Sequence, residues 1–316
     1  MAKTRYAPDR GLTARMGLTM FMLGLVFVAF ITALVYILAA VNVSSGGIIF
    51  LAVVIGLAMG IGSFFYSDKI ALSTAGAQVV SPQDGPRAAE LHGVIDRLCA
   101  LADMPKPKVA IARSPMPNAF ATGRNSKNSV VCVTTGLLDR LDRNELEGVI
   151  AHEMSHVAHR DVAVMTVASF LAIIAGLLVR FAFYGELFGG GGRGRGGNDS
   201  NGGGAIVMLA MMAVGIVVYV VSFLLIRLLS RYRELAADRA GALLTGQPSA
   251  LASALQKVTG DMARIPTKDL RAAEPLNAFY FTPALTKGSI SNVFSTHPSL
   301  ERRLRQLSEI SAQLGK

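Results

Sequence analysis

Polar side chains almost vanish from four stretches of this chain: Leu18 to Ala40, Ile48 to Phe65, Val162 to Phe183 and Ala205 to Leu229. An α-helix needs ~20 apolar residues to cross the hydrocarbon of a bilayer, so each stretch predicts a transmembrane helix. Only the uncharged turn from Val41 to Gly47 separates the first two, which makes them a hairpin. The third begins directly after His159-Arg160-Asp161 and pairs with the fourth across a Gly-rich stretch, Gly189 to Gly204. No predicted strand precedes those glycines, so they read as a flexible connector and not as a phosphate-binding loop.

Outside the hairpins the pattern changes period. A helix is predicted around Pro86 to Asp103, with Leu91, Val94, Ile95 and Leu98 on one face. Two β-rich runs follow, Lys108 to Ala112 and Ser129 to Thr134, with Pro117 to Gly123 between them. Asp142 and Glu145 have the spacing of an N-cap and its reciprocal partner, and Leu146, Val149, Ile150 and Val157 recur at helical intervals after them. A small sheet packed against this helix is expected, and its edge strand offers main-chain groups to an extended peptide. The predicted organisation is a tail and first hairpin over residues 1–66, a soluble portion over 67–161, the second hairpin over 162–229 and a second soluble portion over 230–316.

Composition agrees with membrane segments: 52% of residues are hydrophobic, 16% are charged, and the mean hydropathy is +0.45. Cations mark one side of the bilayer. Lys3, Arg5, Arg10, Arg15, Lys69, Arg160, Arg227, Arg231 and Arg233 flank the predicted spans on that side, which the positive-inside rule makes cytoplasmic. Arg193 and Arg195, in the second outer loop, run against the rule without reversing it. Both termini and the soluble portions are therefore expected in the cytoplasm. Because much of the net charge of +10 sits at these flanks, it does not argue for a nucleic-acid partner. The first apolar run is too long for a signal peptide and reads as a retained anchor. Cys99 and Cys132 have no Cys or His at zinc-finger spacing and read as reduced core residues. Asn42-Val43-Ser44 and Asn198-Asp199-Ser200 match the glycosylation acceptor pattern, which matters only in a eukaryotic host.

The candidate chemistry lies in His152-Glu153-Met154-Ser155-His156, on the predicted helix. Imidazoles four residues apart stack on one helical face and can grip one Zn²⁺. Glu153 then lies near the open coordination position, where it can take a proton from water. A third ligand is needed. His159 lies roughly 10 Å along the axis from His152 at ~1.5 Å per residue, so a metal between the first two histidines is beyond it and a helix-end or supporting role fits better. Glu186 falls on the outer side. Glu234 and Asp238 lie one helical turn apart beyond the fourth span, either as a ligand and its outer partner or as an ordinary charged helix with Arg231.

These residues together closely resemble the HtpX-type membrane zinc metalloproteases, relatives of the prenyl-protein proteases. The resemblance is carried by His152 to Asp161, by Glu234-Leu235-Ala236-Ala237-Asp238, by Asn118 to Gly123, by the two hairpins and by Thr296-His297-Pro298-Ser299. It implies an α+β fold class: a mostly helical membrane protein with four transmembrane helices and a zincin-like cytoplasmic catalytic domain carrying a small β-sheet. By likeness, one zinc per chain is held by His152, His156 and Glu234, Glu153 is the general base, and Asp238 orients a ligand imidazole. Asn118, Ala119 and Phe120 belong to the substrate-binding strand. His297 either donates to the developing oxyanion or braces the helix ahead of Pro298.

The implied activity is peptide-bond hydrolysis in misfolded or damaged membrane proteins at the cytoplasmic face of the inner membrane, as part of a stress response. Partners would be unfolded polypeptides, the lipid bilayer and other quality-control proteases or chaperones. Three alternatives stand beside it: a dedicated processing peptidase of the prenyl-protein protease type, an intramembrane protease, whose motif should lie inside an apolar segment and not before one, and a catalytically silent zinc scaffold. An intact Glu153 speaks against silence, since a purely structural site gains nothing from a base.

Overall fold

A computed structural model describes residues 10–40, 65–161, 164–166, 201–262 and 297–315, with the single positions 54, 58, 61 and 62. The predicted second and third spans fall almost wholly outside these residues, as does the Gly-rich stretch up to Ser200. Contacts divide the chain into one unit of residues 1–16, 63–164 and 230–316, and another of residues 17–62 and 165–229.

Among the described residues the protein is mostly helical, with one small mixed sheet. The long helix α1, Arg10–Ala40, contains the first predicted span, and Thr13–Ala33 within it is long and apolar enough to cross a membrane. Its Leu18, Phe21 and Val28 are exposed, as a lipid-facing surface requires. In the same unit Phe30 and Val218 pack together with Val26, Phe27, Ile31 and Val214.

The sheet belongs to the other unit. Helix α2, Ser67–Thr74, leads into strand β1, Ala77–Val79; helix α3, Pro86–Ala102, is followed by β2, Lys108–Ala112; β3, Ala119–Asn125, and β4, Asn128–Thr134, form a hairpin. The strand order is β1-β2-β4-β3, with β2 and β4 parallel and the other pairs antiparallel. Among the described residues this leaves β3 at an edge. Side chains alternate across the sheet as the pleat demands. Val109, Ala119, Val131 and Val133 join Leu91, Ile95 and Leu98 of α3 in the main core, whereas Ala110, Phe120, Val130 and Cys132 face Ala71 of α2. Removing each such buried Leu or Ile from water contributes about 1.5–3 kcal/mol, so the predicted apolar face of α3 is also what fastens it to the sheet.

The β3–β4 turn is held by Asn125, whose Oδ1 accepts from Lys127 N at 3.1 Å and Asn128 N at 2.9 Å. Gly123 has φ +143°, and a side chain there would run into the backbone of Asn128 and Ser129. Only glycine fits this bulged position.

Helix α4, Arg143–Ala158, carries the histidine pair and crosses beneath β3. Helix α5, Asn201–Thr245, differs from expectation at both ends. The last four residues of the Gly-rich stretch, 201–204, are helical, and the helix does not stop where the apolar run ends at Leu229. No Gly or Pro interrupts residues 229–240, so backbone hydrogen bonding continues unbroken into the polar residues. Met212–Thr245 is the second described segment long and apolar enough to span a membrane. Helices α6, Pro248–Met262, and α7, Leu300–Gln313, close the core over α4 through Leu251, Leu255, Val258, Leu307 and Ile310.

Candidate metal centre

The site is built outward from the start of α4. Asp142 Oδ1 accepts from the amides of Asn144 and Glu145 at 2.9 Å each, and Glu145 Oε2 accepts in return from Asp142 N at 3.0 Å. The predicted cap is therefore present. Buried Glu145 also receives Ser253 Oγ at 2.6 Å and Lys257 Nζ at 2.6 Å, which ties α6 to the start of α4. Every residue from Glu145 to Val157 is buried. The motif helix is thus a core element with no solvent face along that stretch.

From this helix His152 and His156 project side by side, their rings edge to face and their Nε2 atoms 3.3 Å apart. Glu234, on α5, places Oε1 3.4 Å from His156 Nε2 and Oε2 3.7 Å from His152 Nε2. The two helices approach this closely because residue 241 is glycine: a β-carbon there would lie 2.9 Å from His152 N.

The far side of each imidazole meets a carboxylate. His152 Nδ1 is 2.9 Å from Asp238 Oδ1, and His156 Nδ1 is 2.5 Å from Asp161 Oδ2. Each carboxylate is matched by a guanidinium. Arg303 donates to both oxygens of Asp238 at 2.6 and 2.7 Å, and Arg233 Nε stands 3.0 Å from Asp161 Oδ2. In their neutral form, with protons on Nδ1 facing the acids, the imidazoles would turn two lone pairs toward a third acceptor, the Glu234 carboxylate. Three converging acceptors call for a cation between them. A tetrahedral zinc with bonds of ~2.0–2.2 Å spaces its ligand atoms roughly 3.3–3.5 Å apart, close to the separations found, so the donor set fits that ion.

The electrostatics point the same way. Burial pulls the His156 imidazole down, yet hydrogen bonds and charge from Asp161 and Glu234 push it up to about 10. His152 is likewise raised by Asp238 and Glu234 against its burial. Burial raises Glu234, but His297 and then the two imidazoles hold its carboxyl well below the usual range. Asp238 is lowered in the same manner, burial being overcome by Arg303 and His152. A pocket that holds positive charge this firmly favours a metal ion.

Glu153 leaves the helix beside this cluster. Burial raises its carboxyl while both imidazoles lower it, and Oε2 accepts from Ala121 N at 3.0 Å. That bond shows how the edge strand is turned. The Thr134 amide donates to the Asn118 carbonyl while the Asn118 amide donates to the Thr134 hydroxyl, and Phe120 pairs with Cys132. By the alternation of an antiparallel ladder, the main-chain groups of Asn118 and Phe120 point into the sheet and those of Ala119 and Ala121 point out toward α4. The Phe120 ring is buried against α2 on the far face.

His297, buried, sits with Nδ1 3.0 Å from Glu234 Oε2. The brace for the following helix is a different residue, Ser299, whose hydroxyl accepts from Arg302 N at 3.4 Å. His159 is exposed and caps the end of α4. Asp161, Arg233 and Arg303 are additions that spacing along the chain did not disclose, whereas Ala121 lies within the predicted stretch from Asn118 to Gly123. Only Arg303 had a local signal: with Leu300, Leu307 and Ile310 it shares the apolar stripe of α7, where an unpaired guanidinium would be untenable.

Residues 86–311 match the sequence profile of Peptidase family M48. The chain is 57% identical to Protease HtpX homolog 1 of Streptomyces coelicolor over 315 residues, which is 99% of this chain and 97% of that protein. It is 51% identical to Protease HtpX homolog of Moorella thermoacetica, over 97% of this chain and 96% of that one. Against Protease HtpX homolog 2 of Methanosarcina mazei it is 49% identical, over 99% of both. The crystal structure of S. mikatae Ste24p superposes with a TM-score of 0.52 at 16% identity, covering 95% of this chain and 66% of that one, a likeness of fold.

Proposed function

We propose, since this chain belongs to Peptidase family M48, that it is a membrane-bound zinc endopeptidase that cuts misfolded or damaged membrane proteins on the cytoplasmic side. The observation carrying this reading is the convergence of His152 Nε2, His156 Nε2 and Glu234 on one point, with a buried acid beside it that is not a ligand. The apolar faces of α1 and α5 support attachment to a bilayer, and the cations flanking the spans support the orientation.

His152, His156 and Glu234 would hold the zinc. Bound there, the ion acidifies water and polarises the scissile carbonyl. Glu153 accepts the proton from the attacking water and returns it to the leaving amine, a role suited to a carboxyl raised by burial. An extended substrate would pair with the outward main-chain groups of Ala119 and Ala121, while Asn118 and Phe120 brace that strand from within. The Ala121 amide, which holds Glu153 in the free protein, is then shared with the incoming peptide. His297 would donate toward the oxyanion, a role that its position beside Glu234 supports. Unfolded membrane proteins are the proposed substrates, and quality-control proteases or chaperones the proposed partners in a stress response.

The test uses full-length protein purified in detergent, with its metal content measured and casein, an unfolded membrane protein and a prenylated peptide offered to wild type and Glu153→Ala. Zinc retained with cleavage lost in the variant is the expected outcome. Equal cleavage by both proteins would reject the mechanism, and cleavage of the prenylated peptide alone would reject the substrate class.

A further inference from the structure

Asp161 is buried at the head of the third predicted span, 2% exposed, and no step of the proposed hydrolysis uses it. It reaches His156 because the chain leaves the helical path at the end of α4. His159 caps the helix and Arg160 adopts φ 56°, a left-handed conformation that non-glycine residues take up at a cost. The turn delivers the Asp161 carboxylate to within 2.5 Å of His156 Nδ1 and 3.0 Å of Arg233 Nε. Arg233 immediately precedes Glu234 on α5.

We infer that Asp161 is a positioning residue for the metal centre: it takes the Nδ1 proton of His156 in a hydrogen bond and so turns Nε2 toward His152 and Glu234. Arg233 pairs with that carboxylate and fastens the turn of α5 that bears Glu234 to the end of α4. The arrangement duplicates the one at His152, where Asp238 meets Nδ1 and Arg303 meets Asp238. Each imidazole thus has its own acid, and each acid its own guanidinium. Outer carboxylates of this kind raise the basicity of a ligating histidine and restrict its ring, and their loss typically weakens metal binding ~10–100-fold.

The inference rests on the proposed zinc site, so its test reads metal binding apart from cleavage. Zinc affinity is measured by competition with a chromophoric chelator on full-length protein in detergent, for wild type, Asp161→Asn and the charge-balanced Asp161→Asn/Arg233→Met, together with the melting of each metal-free form. Both variants are expected to bind zinc ~10–100-fold more weakly, with metal-free melting of the double variant within about 2 °C of wild type. Zinc affinity of the double variant within about twofold of wild type would overturn the inference. So would a loss of affinity that only tracks a lower metal-free melting temperature, which marks a merely structural residue. A wild-type protein that binds no zinc would remove the metal site itself, a different failure from either.

Discussion

Gly241 lies directly against the backbone of His152, so near that a β-carbon on it would stand 2.9 Å from the His152 amide nitrogen and 3.2 Å from its Cα. Both partners in that contact are main chain, and neither can swing aside. Glu234 and His152 are brought together by the absence of a side chain.

Gly241→Ala is therefore expected to push α5 away from α4. Forcing one methyl into a packed helix contact costs about 1–3 kcal/mol. The same displacement carries Glu234 and Asp238, which share the helix, away from His152. Thermal melting in detergent and zinc stoichiometry measure the two effects. An alanine variant that melts and binds zinc like wild type would show that the helices have slack.

The Asp238–Arg303 pair is buried on both sides, 0% and 2% exposed. Arg303→Met strands the Asp238 carboxylate without its counter-charge, at a cost of about 3–5 kcal/mol. Arg303→Met/Asp238→Asn, with both charges gone, is expected to be more stable than the single variant. Chemical unfolding of the four members of the cycle measures the coupling. Independent, additive effects would contradict the pairing.

Chelation of the metal is expected to abolish cleavage and lower the melting temperature without unfolding the protein. Asp238 with Arg303 and Asp161 with Arg233 are ion pairs that do not depend on the metal. Stabilisation by added zinc should grow with the logarithm of its free concentration, as binding to the native state alone requires. Circular dichroism of the chelated protein checks the first point and a zinc titration of the melting temperature the second. Global unfolding on chelation would mean that the ion holds the fold together.

Both cysteines are expected to resist thiol reagents until the protein unfolds. Burial pushes the Cys132 thiol up to about 12, against a hydrogen bond from the Ala112 backbone. Cys99 is pushed up to about 11 by burial and Asp96, with Lys106 opposing. A thiol with a raised folded pKa keeps its proton longer in the native state, so its contribution to stability is intact below ~8.5, the unfolded value, and declines as pH rises from there toward 11–12. Labelling at pH 8 with and without denaturant measures the protection. Rapid native labelling at Cys132 would contradict its burial.

Local pattern carried much of this architecture. The predicted strand Lys108 to Ala112 is the observed one, Ser129 to Thr134 starts one residue late, and the helix from Pro86 ends one residue earlier than predicted. The cap at Asp142 was legible because both of its partners lie within one turn. What spacing could not disclose is contact across long intervals of chain. Glu234 is near His156 only after two helices pack at Gly241, and Arg303 reaches Asp238 across 65 residues. The outward turn of Ala121 depends on which edge of β4 the hairpin occupies, and a strand read alone has two equivalent edges. Asp161 was hidden for another reason: its position relative to His156 is set by the left-handed residue Arg160, where a continuing helix would have carried it away.

The margin of β3, an edge among the described residues, has a further consequence for the proposed cleavage. A partner that joins a sheet there must adopt the stretched repeat of a strand, ~3.3 Å per residue, and give up any coil of its own over the length it shares. A membrane-spanning segment that is soundly wound keeps its amides engaged and has nothing to offer that margin. A segment that has frayed, through damage or failure to find its neighbours, exposes those groups. Under the proposed activity, geometry at a single strand would separate the broken from the intact before any bond is hydrolysed.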